Sequence, residues 1–309
     1  MQNIPLLCVA GATASGKTHL AVQLANAVQG EIISADSRQV YRGMDIGTGK
    51  DLNEYSIGEK QIPYHLIDIV DAGYKYNIYE YQRDFLVTYA DILNRGKTPI
   101  LCGGSGMYIE AALNSNYRLD YVPVNENFRK ETEKYSMDEL KAKLQSYKSL
   151  HNNTDILDRD RLVRALEIAV HYEQNPQDRS NIPVNYTIFY LNYERSSLRE
   201  RIALRLKQRL DNGMIEEVRS LLNVGVSMDE LFYYGLEYRF ISQYLSGTFD
   251  YETMISRLLI AIGQFAKRQQ TWFNRMRRNG FAMVDIDGAL SDSEKFEEMM
   301  KVANKLLLR

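Results

Sequence analysis

Apolar positions along the chain alternate between short unbroken runs and helical spacing. Pro5–Ala10 is a continuous apolar run of strand length that leads into Gly11. Leu20, Leu24 and Val28 then recur on one helix face, with Gly30 as the expected C-terminal stop. Glu31–Ala35, Tyr64–Val70 and Thr98–Cys102 read as further strands, and Tyr79–Asn94 as a helix. Strands alternating with helices predict an α/β fold with a parallel sheet, whose ligands bind beyond the carboxyl ends of the strands. From 118 to 180 the pattern turns polar and helix-rich, with helices over Met137–Tyr147 and Asp158–Tyr172 and a loop over Asn175–Pro183. This stretch reads as a helical insertion into a core made of 1–117 and 181–309. Strand pattern returns at Tyr186–Leu191. Ser197-Leu198-Arg199-Glu200 fits a capping box opening a long helix, with Leu198, Ile202, Leu206 and Leu210 on its apolar face. A further helix over Tyr251–Met276 and a last strand over Ala282–Asp285 complete a helix-rich C-terminal part.

Composition narrows the class without naming a function. The 309 residues are 45% hydrophobic and 25% charged, ordinary for a globular protein with room for a full core. No run approaches the roughly 18 apolar residues of a membrane span, and no charged, cleavable leader precedes the first strand, so a cytoplasmic protein without membrane contact is expected. Cys8 and Cys102 lie in apolar runs and read as buried reduced thiols. His19, His65, His151 and His171 have no metal-ligand spacing, so no zinc site is expected. A net charge of −2 argues against a generally basic nucleic-acid coat. Basic clusters nevertheless stand at Arg159/Arg161/Arg164, Arg199/Arg201/Arg205/Lys207/Arg209 and Lys267/Arg268/Arg275/Arg277/Arg278, which suits a polyanion on one face or simply solvated helices.

Three strand ends carry candidate chemistry. Gly11-Ala12-Thr13-Ala14-Ser15-Gly16-Lys17-Thr18 is a G-x-x-x-x-G-K-[ST] phosphate loop between strand and helix. Its glycines let main-chain N–H groups surround a di- or triphosphate, Lys17 neutralises outer oxygens, and Thr18 can ligate Mg²⁺. Asp36 leaves the second strand ahead of Ser37, Arg38 and Gln39; a carboxylate there can take the proton of an amine or hydroxyl, while Arg38 and Gln39 suit a phosphate and a base edge. A turn cap is the alternative for Asp36. Gly103-Gly104-Ser105-Gly106 closes a third strand end, and Ser105 offers a hydroxyl to Asp36 or to a substrate amine; Tyr108 reads as packing. In the insertion, Arg161 and Arg164 share a helix face, suited to a diphosphate or RNA backbone or to pairing with Asp158, Asp160 and Glu167. Arg201, Arg205 and Arg209 repeat every four residues and read as a solvated face opposite the apolar stripe.

Together these motifs resemble the tRNA dimethylallyltransferases, also called tRNA isopentenyltransferases. The resemblance rests on Asp36–Thr48 with Lys50, His65–Asp68, Gly103–Tyr108, Arg161–Glu167, Gly213–Leu221 and Gln264–Trp272, nearly the whole chain in order. It implies a P-loop NTPase-like core with a helical insertion and a channel where tRNA and prenyl donor meet. By resemblance Gly11–Thr18 would bind the diphosphate of dimethylallyl diphosphate rather than ATP. Asp36 would be the catalytic carboxylate, with Ser105 behind it at a position usually Thr. The tRNA contacts would be Asp36, Ser37, Arg38, Gln39, Ser105, Arg129 and the run Asp160, Arg161, Leu162, Val163 and Arg164. Departures are Ile262-Gly263-Gln264 for Thr-Arg-Gln, and Gly235-Leu236-Glu237 where Gly-Tyr-Arg/Lys is usual. The insertion also lacks the family's Asp-Pro before its arginine helix, and no Gly-Lys follows that helix.

The expected activity is transfer of a dimethylallyl group to N6 of the adenosine beside a tRNA anticodon, by a monomer using Mg²⁺. Lys17, the metal on Thr18, the loop N–H groups and some of Arg161, Arg164, Lys267 and Arg268 would hold the departing diphosphate. A small-molecule kinase, prenyl transfer to free adenine nucleotide, and a non-catalytic nucleotide- or RNA-binding module are the alternatives.

Overall fold

The computed structural model describes residues 4–114, 119–147, 158–175 and 184–307. The predicted loop Asn175–Pro183 falls, beyond Asn175, outside them, as does His151. In chain order the elements are β1 (Leu6–Gly11), α1 (Lys17–Ala27), β2 (Gly30–Ser34), the hairpin strands β3 (Ser56–Ile57) and β4 (Lys60–Gln61), β5 (Tyr64–His65), α2 (Ile78–Asn94), β6 (Thr98–Gly103) and α3 (Gly106–Leu113). Then come α4 (Glu126–Thr132), α5 (Met137–Tyr147), α6 (Arg159–Gln174), β7 (Tyr186–Asn192), α7 (Arg195–Asp211), α8 (Met214–Asn223), α9 (Met228–Tyr234), α10 (Leu236–Leu245), α11 (Tyr251–Arg278), β8 (Met283–Asp287) and α12 (Asp292–Leu307).

Six strands form one sheet in the order β5-β2-β6-β1-β7-β8, and every pair in it is parallel. β1, β2 and β6 are buried at every position, which is why β1 and most of β6 read as continuous apolar runs rather than alternating ones, while β2 also buries Glu31 and Ser34. The pairings Ala10↔Gly103 and Ser34↔Cys102 bring the ends of β1, β2 and β6 to one edge. Tyr81 on α2 stacks on Tyr108 of α3, ring centroids 4.2 Å apart, so Tyr108 is a packing residue. Cys8 and Cys102 are buried free thiols.

The chain divides into two compact units, one of Met1–Asn114 with Ile182–Arg309 and one of Ser115–Asn181. The smaller has its own core, in which Leu140 and Leu144 of α5 meet Leu162, Val163 and Leu166 of α6.

Three local expectations fail for identifiable reasons. Gly30 does not stop α1: Gln29 takes the left-handed conformation at φ 52°, and Gly30 begins β2. Glycine is needed there because a Cβ would stand 2.6 Å from the Thr98 carbonyl of β6. The strand over Tyr64–Val70 ends at His65, because Leu66 (φ 60°) and Asp68 (φ 55°) turn left-handed; Val70 then forms an isolated parallel bridge with Tyr41, outside the sheet. No capping box opens α7, which starts at Arg195, two residues before Ser197, with no side-chain cap. True boxes open α2 through Asn77 and Glu80, and α9 through Ser227 and Glu230.

Candidate functional site

The phosphate loop is shaped by steric necessity. Ala14 and Gly16 take positive φ (62° and 80°), and a Cβ on Gly11 would stand 2.6 Å from Ser15 Oγ. The Ser15 N–H donates to the Ala12 carbonyl at 3.3 Å, closing the turn. No side chain caps α1 and its first turn carries no acid, so the first N–H groups and the positive dipole end of the helix are left to the loop. That is an anion site built from main chain. Lys17 opens the same helix. Burial pulls its ammonium below its usual value; the Cys102 thiol and Asp36 oppose this, and Arg205 and Arg209 reinforce it. Thr18 lies within hydrogen-bonding reach of the Cys102 thiol, which burial raises to about 12.

Arg201, Arg205 and Arg209 are the main correction to the sequence reading. They are not opposite the apolar stripe: each follows Leu198, Ile202 or Leu206 by three residues, about 60° around the helix. Seating that stripe in the core swings them onto the phosphate loop. Arg201 Nε donates to the Ala14 carbonyl at 2.8 Å, and Arg205 donates to Thr13 Oγ1. Burial, then the charge of Arg209, draws Arg205 down to about 10. Arg209 pairs with Asp51 at 3.1 Å, and a Cβ on Gly49 would collide with its guanidinium. A small cavity beside this row is lined by Ile202, Arg205, Leu206, Arg209, Glu237 and Ile262. Two of the departures from the family pattern, at Glu237 and Ile262, therefore meet in one place. Burial pushes the Glu237 carboxyl up, against the pull of its own N–H and of Arg209 and Arg205.

Gln269 of α11 is a second residue whose role the sequence did not disclose. Its Oε1 accepts the Thr13 N–H at 2.8 Å, and its Nε2 donates to the Gly104 carbonyl at 2.8 Å. One buried amide thus ties the phosphate loop to the Gly103–Gly106 loop. Only its place in the Gln264–Trp272 motif hinted at this. Lys267 and Arg268, expected near a diphosphate, are exposed, and Lys267 lies across α11 from Gln269.

At the end of β2 the Ala35 N–H donates to the Cys102 carbonyl at 2.7 Å, and Gly103 packs so closely on Ala35 that no Cβ fits. Asp36, half-buried, follows. One of its oxygens accepts the Arg38 N–H at 2.8 Å, so it does cap its own turn, and its other oxygen has no protein donor among the described residues. Ser105 is tied to this strand end through its N–H, which donates to the Ala35 carbonyl at 3.4 Å. Its hydroxyl makes no bond to Asp36 among the described residues, contrary to expectation. Arg38 lies over the Tyr233 ring at 4.5 Å. Both ends of the Gln39 amide are engaged, Oε1 by Ser34 Oγ at 2.9 Å and Nε2 by the Gly49 carbonyl at 2.9 Å, so it does not offer a free base-reading edge. Ser37 is half-buried.

In the smaller unit, Asp158 caps α6 by accepting the Arg161 N–H and pairs with the Arg161 side chain at 3.1 Å. Arg164 donates to Glu167 and to the Val122 carbonyl at 2.7 Å; Arg129 pairs with Glu167 at 3.3 Å. Burial raises the Glu167 carboxyl, but the Asn125 N–H, Arg164 and Arg129 outweigh this and hold it below its usual value. The side chains of Leu162 and Val163 point into this unit's core. Within the run 160–164, only Asp160 and Arg161 are exposed.

A hard cation fits this site only alongside a phosphate. No group of three His, Cys, Asp or Glu side chains is arranged for a metal among the described residues, whereas the Thr18 hydroxyl at the open end of α1 is an oxygen donor of the kind Mg²⁺ uses with phosphate and water. No helix among the described residues is long and apolar enough to cross a membrane.

Residues 39–276 match the model of the family described as IPP transferase. The chain is 50% identical to tRNA dimethylallyltransferase 1 of Parabacteroides distasonis over 99% of its length and 100% of that protein. It is 51% identical to tRNA dimethylallyltransferase 2 of Bacteroides fragilis, covering 96% of each. The crystal structure of the tRNA isopentenylpyrophosphate transferase of Bacillus halodurans superposes with TM-score 0.69 at 30% identity, covering 98% of this chain and 97% of that one. A eukaryotic dimethylallyltransferase acting on tRNA shares the fold at TM-score 0.75 and 22% identity, over 92% of this chain and 74% of its own. A phosphate loop, a strand-end carboxylate and a glycine-rich third loop on one sheet edge thus sit within a full-length match, and the chain belongs to the IPP transferase family.

Proposed function

We propose that this protein transfers the dimethylallyl group of dimethylallyl diphosphate to N6 of the adenosine beside a tRNA anticodon. The observation that carries this reading is the pairing, on one sheet edge, of an anion site ringed by Lys17, Arg201 and Arg205 with an Asp36 oxygen that has no protein donor among the described residues.

Adenine N6 is a weak nucleophile because its lone pair is delocalised into the ring. The Asp36 carboxylate orients the amine and takes its proton as the N6–carbon bond forms. The carbon–oxygen bond to the diphosphate breaks in the same event. Its developing charge is met by the N–H groups at the start of α1, by Lys17 and by Arg205. Thr18 would hold a Mg²⁺ ion, which supplies further charge neutralisation of the diphosphate. A base inside a stack cannot reach a strand-end carboxylate, so the target nucleotide is flipped out. Gln269 and the Gly103–Ala35 contact keep the loops in register for this geometry.

The test offers isotope-labelled dimethylallyl diphosphate to the full chain with unmodified tRNA and with AMP in parallel. Label on tRNA and none on AMP is the expected result. Label on AMP alone makes the enzyme a nucleotide prenyltransferase, and transfer only of the γ-phosphate of ATP makes it a kinase.

A further inference from the structure

A groove of 410 Å³ opens between α10 and the N-terminal half of α11, lined among others by Arg239, Phe240, Phe249, Arg257, Ile260 and Gln264. Arginine rests on aromatic rings there. Arg257 lies 4.4 Å above Phe249, Arg239 lies 5.6 Å from Phe232 and 5.9 Å from Phe240, and Phe240 stacks on Phe249 with 6.4 Å between centroids. Neither guanidinium is paired with a carboxylate among the described residues, and no acidic side chain lines the groove. Ile260, 59% exposed, leaves an apolar surface beside them. Unpaired guanidiniums attract phosphates, and aromatic faces with apolar surroundings take bases, a combination that suits single-stranded nucleic acid.

From the groove a row of side chains runs along α11 toward the candidate site. Arg257, Gln264, Arg268 and Arg275 fall within about 40° of one line along α11, at about 100° per residue. That line ends where Arg275 lies 4.0 Å over Trp272, whose ring presses on Gly106 of the third strand-end loop. From Arg257 to Arg275 is about 27 Å at 1.5 Å per residue.

We infer that this groove is a docking surface for the substrate RNA, holding backbone phosphates and an unstacked base well away from the transferred group. The inference rests on the reading that the substrate is a tRNA. Arg239 and Arg257 meet phosphates, and the Arg257 guanidinium stacked on Phe249 provides the platform for a base.

The test measures binding of an unmodified tRNA transcript to the full chain across a salt series, for wild type, Arg239→Gln/Arg257→Gln and Phe249→Leu, with melting curves for each. The double variant is expected to bind about tenfold more weakly. Its log–log salt slope should be shallower by roughly 0.7 for each single-strand phosphate that the arginines no longer neutralise. Phe249→Leu is expected to lose at least about fivefold in affinity with the slope unchanged. Single-turnover prenyl transfer at saturating tRNA stays at the wild-type rate in all three. Equal affinity and slope in wild type and both variants overturn the inference while leaving the proposed activity standing. A weaker affinity with the same slope in the double variant, accompanied by a lower melting temperature, also overturns it, since the arginines would then only support the fold. Failure of the wild type to bind tRNA at all removes the proposed function and this inference with it.

Discussion

Gln269→Leu separates a structural bridge from the chemistry it serves. Leucine nearly matches glutamine in volume, so packing around this residue, which is 7% exposed, is retained. Two hydrogen bonds of 2.8 Å disappear, stranding the Thr13 N–H and the Gly104 carbonyl. A stranded buried polar group costs about 1–3 kcal/mol. Thr13 is half-buried and regains water in part, while Gly104 is buried, so the sum comes to about 3 kcal/mol. For a chain of 309 residues that lowers the melting temperature by about 5 °C. The phosphate loop, freed from the third strand end, shifts relative to Asp36, and a displacement near 1 Å costs about 10²-fold in rate. Calorimetric melting and single-turnover transfer with saturating donor and tRNA measure the two effects separately. Gln269→Glu keeps the acceptor for Thr13 but loses the donor to Gly104 and adds a negative charge beside the anion site, so it should weaken diphosphate binding more than leucine does. A leucine variant that melts with wild type and turns over at its rate would refute the bridge as the element that registers the loops.

Asp36→Asn keeps the cap on the Arg38 N–H but removes the charge and proton affinity, so single-turnover transfer should fall about 10²–10⁴-fold with donor and tRNA affinity little changed; a variant with near-normal rate leaves Asp36 as a turn cap. The hydrogen bond from Arg95, and then that from His65, hold the Glu31 carboxyl below its usual 4.5 despite burial. A carboxyl depressed by folding contributes stability that is present above its unfolded value and lost as pH falls through its folded one. Glu31→Gln should therefore flatten the loss of stability with acid below about pH 4.5, and an unaltered pH–melting curve would count against the pairing. Lys50, fully buried, donates to the Tyr41 carbonyl at 2.7 Å and to Asp45 at 2.6 Å, and also pairs with Asp68. Lys50→Met strands these acceptors; because Asp45 and Asp68 are partly exposed, the cost is at the low end of a broken buried pair, about 3 kcal/mol. An unshifted urea midpoint would contradict it.

Most strands of the sheet and the loops on its edge follow from local pattern. β1, β6 and β7 were legible because parallel strands buried on both faces leave largely apolar runs, whereas β2 buries Glu31 and Ser34 among its apolar residues; a phosphate loop can follow such a strand only at its carboxyl end. The glycines at 103 and 104 were visible too, although the reason for them, contact with Ala35 and with Gln269, was not. Tertiary structure decided which polar side chains work together. Arg201 and Arg205 looked like a solvated face because helical spacing states which residues share a side, but not which neighbour that side meets; docking the Leu198–Leu206 stripe turned them onto Thr13 and Ala14. Gln269, 256 residues from Thr13, could reach it only after α11 packed beneath the loop. Arg164 and Arg129 were claimed by Glu167, a choice between protein and ligand that spacing leaves open. Local pattern fixes periodicity and strand ends, whereas partners distant along the chain are fixed only when the core closes.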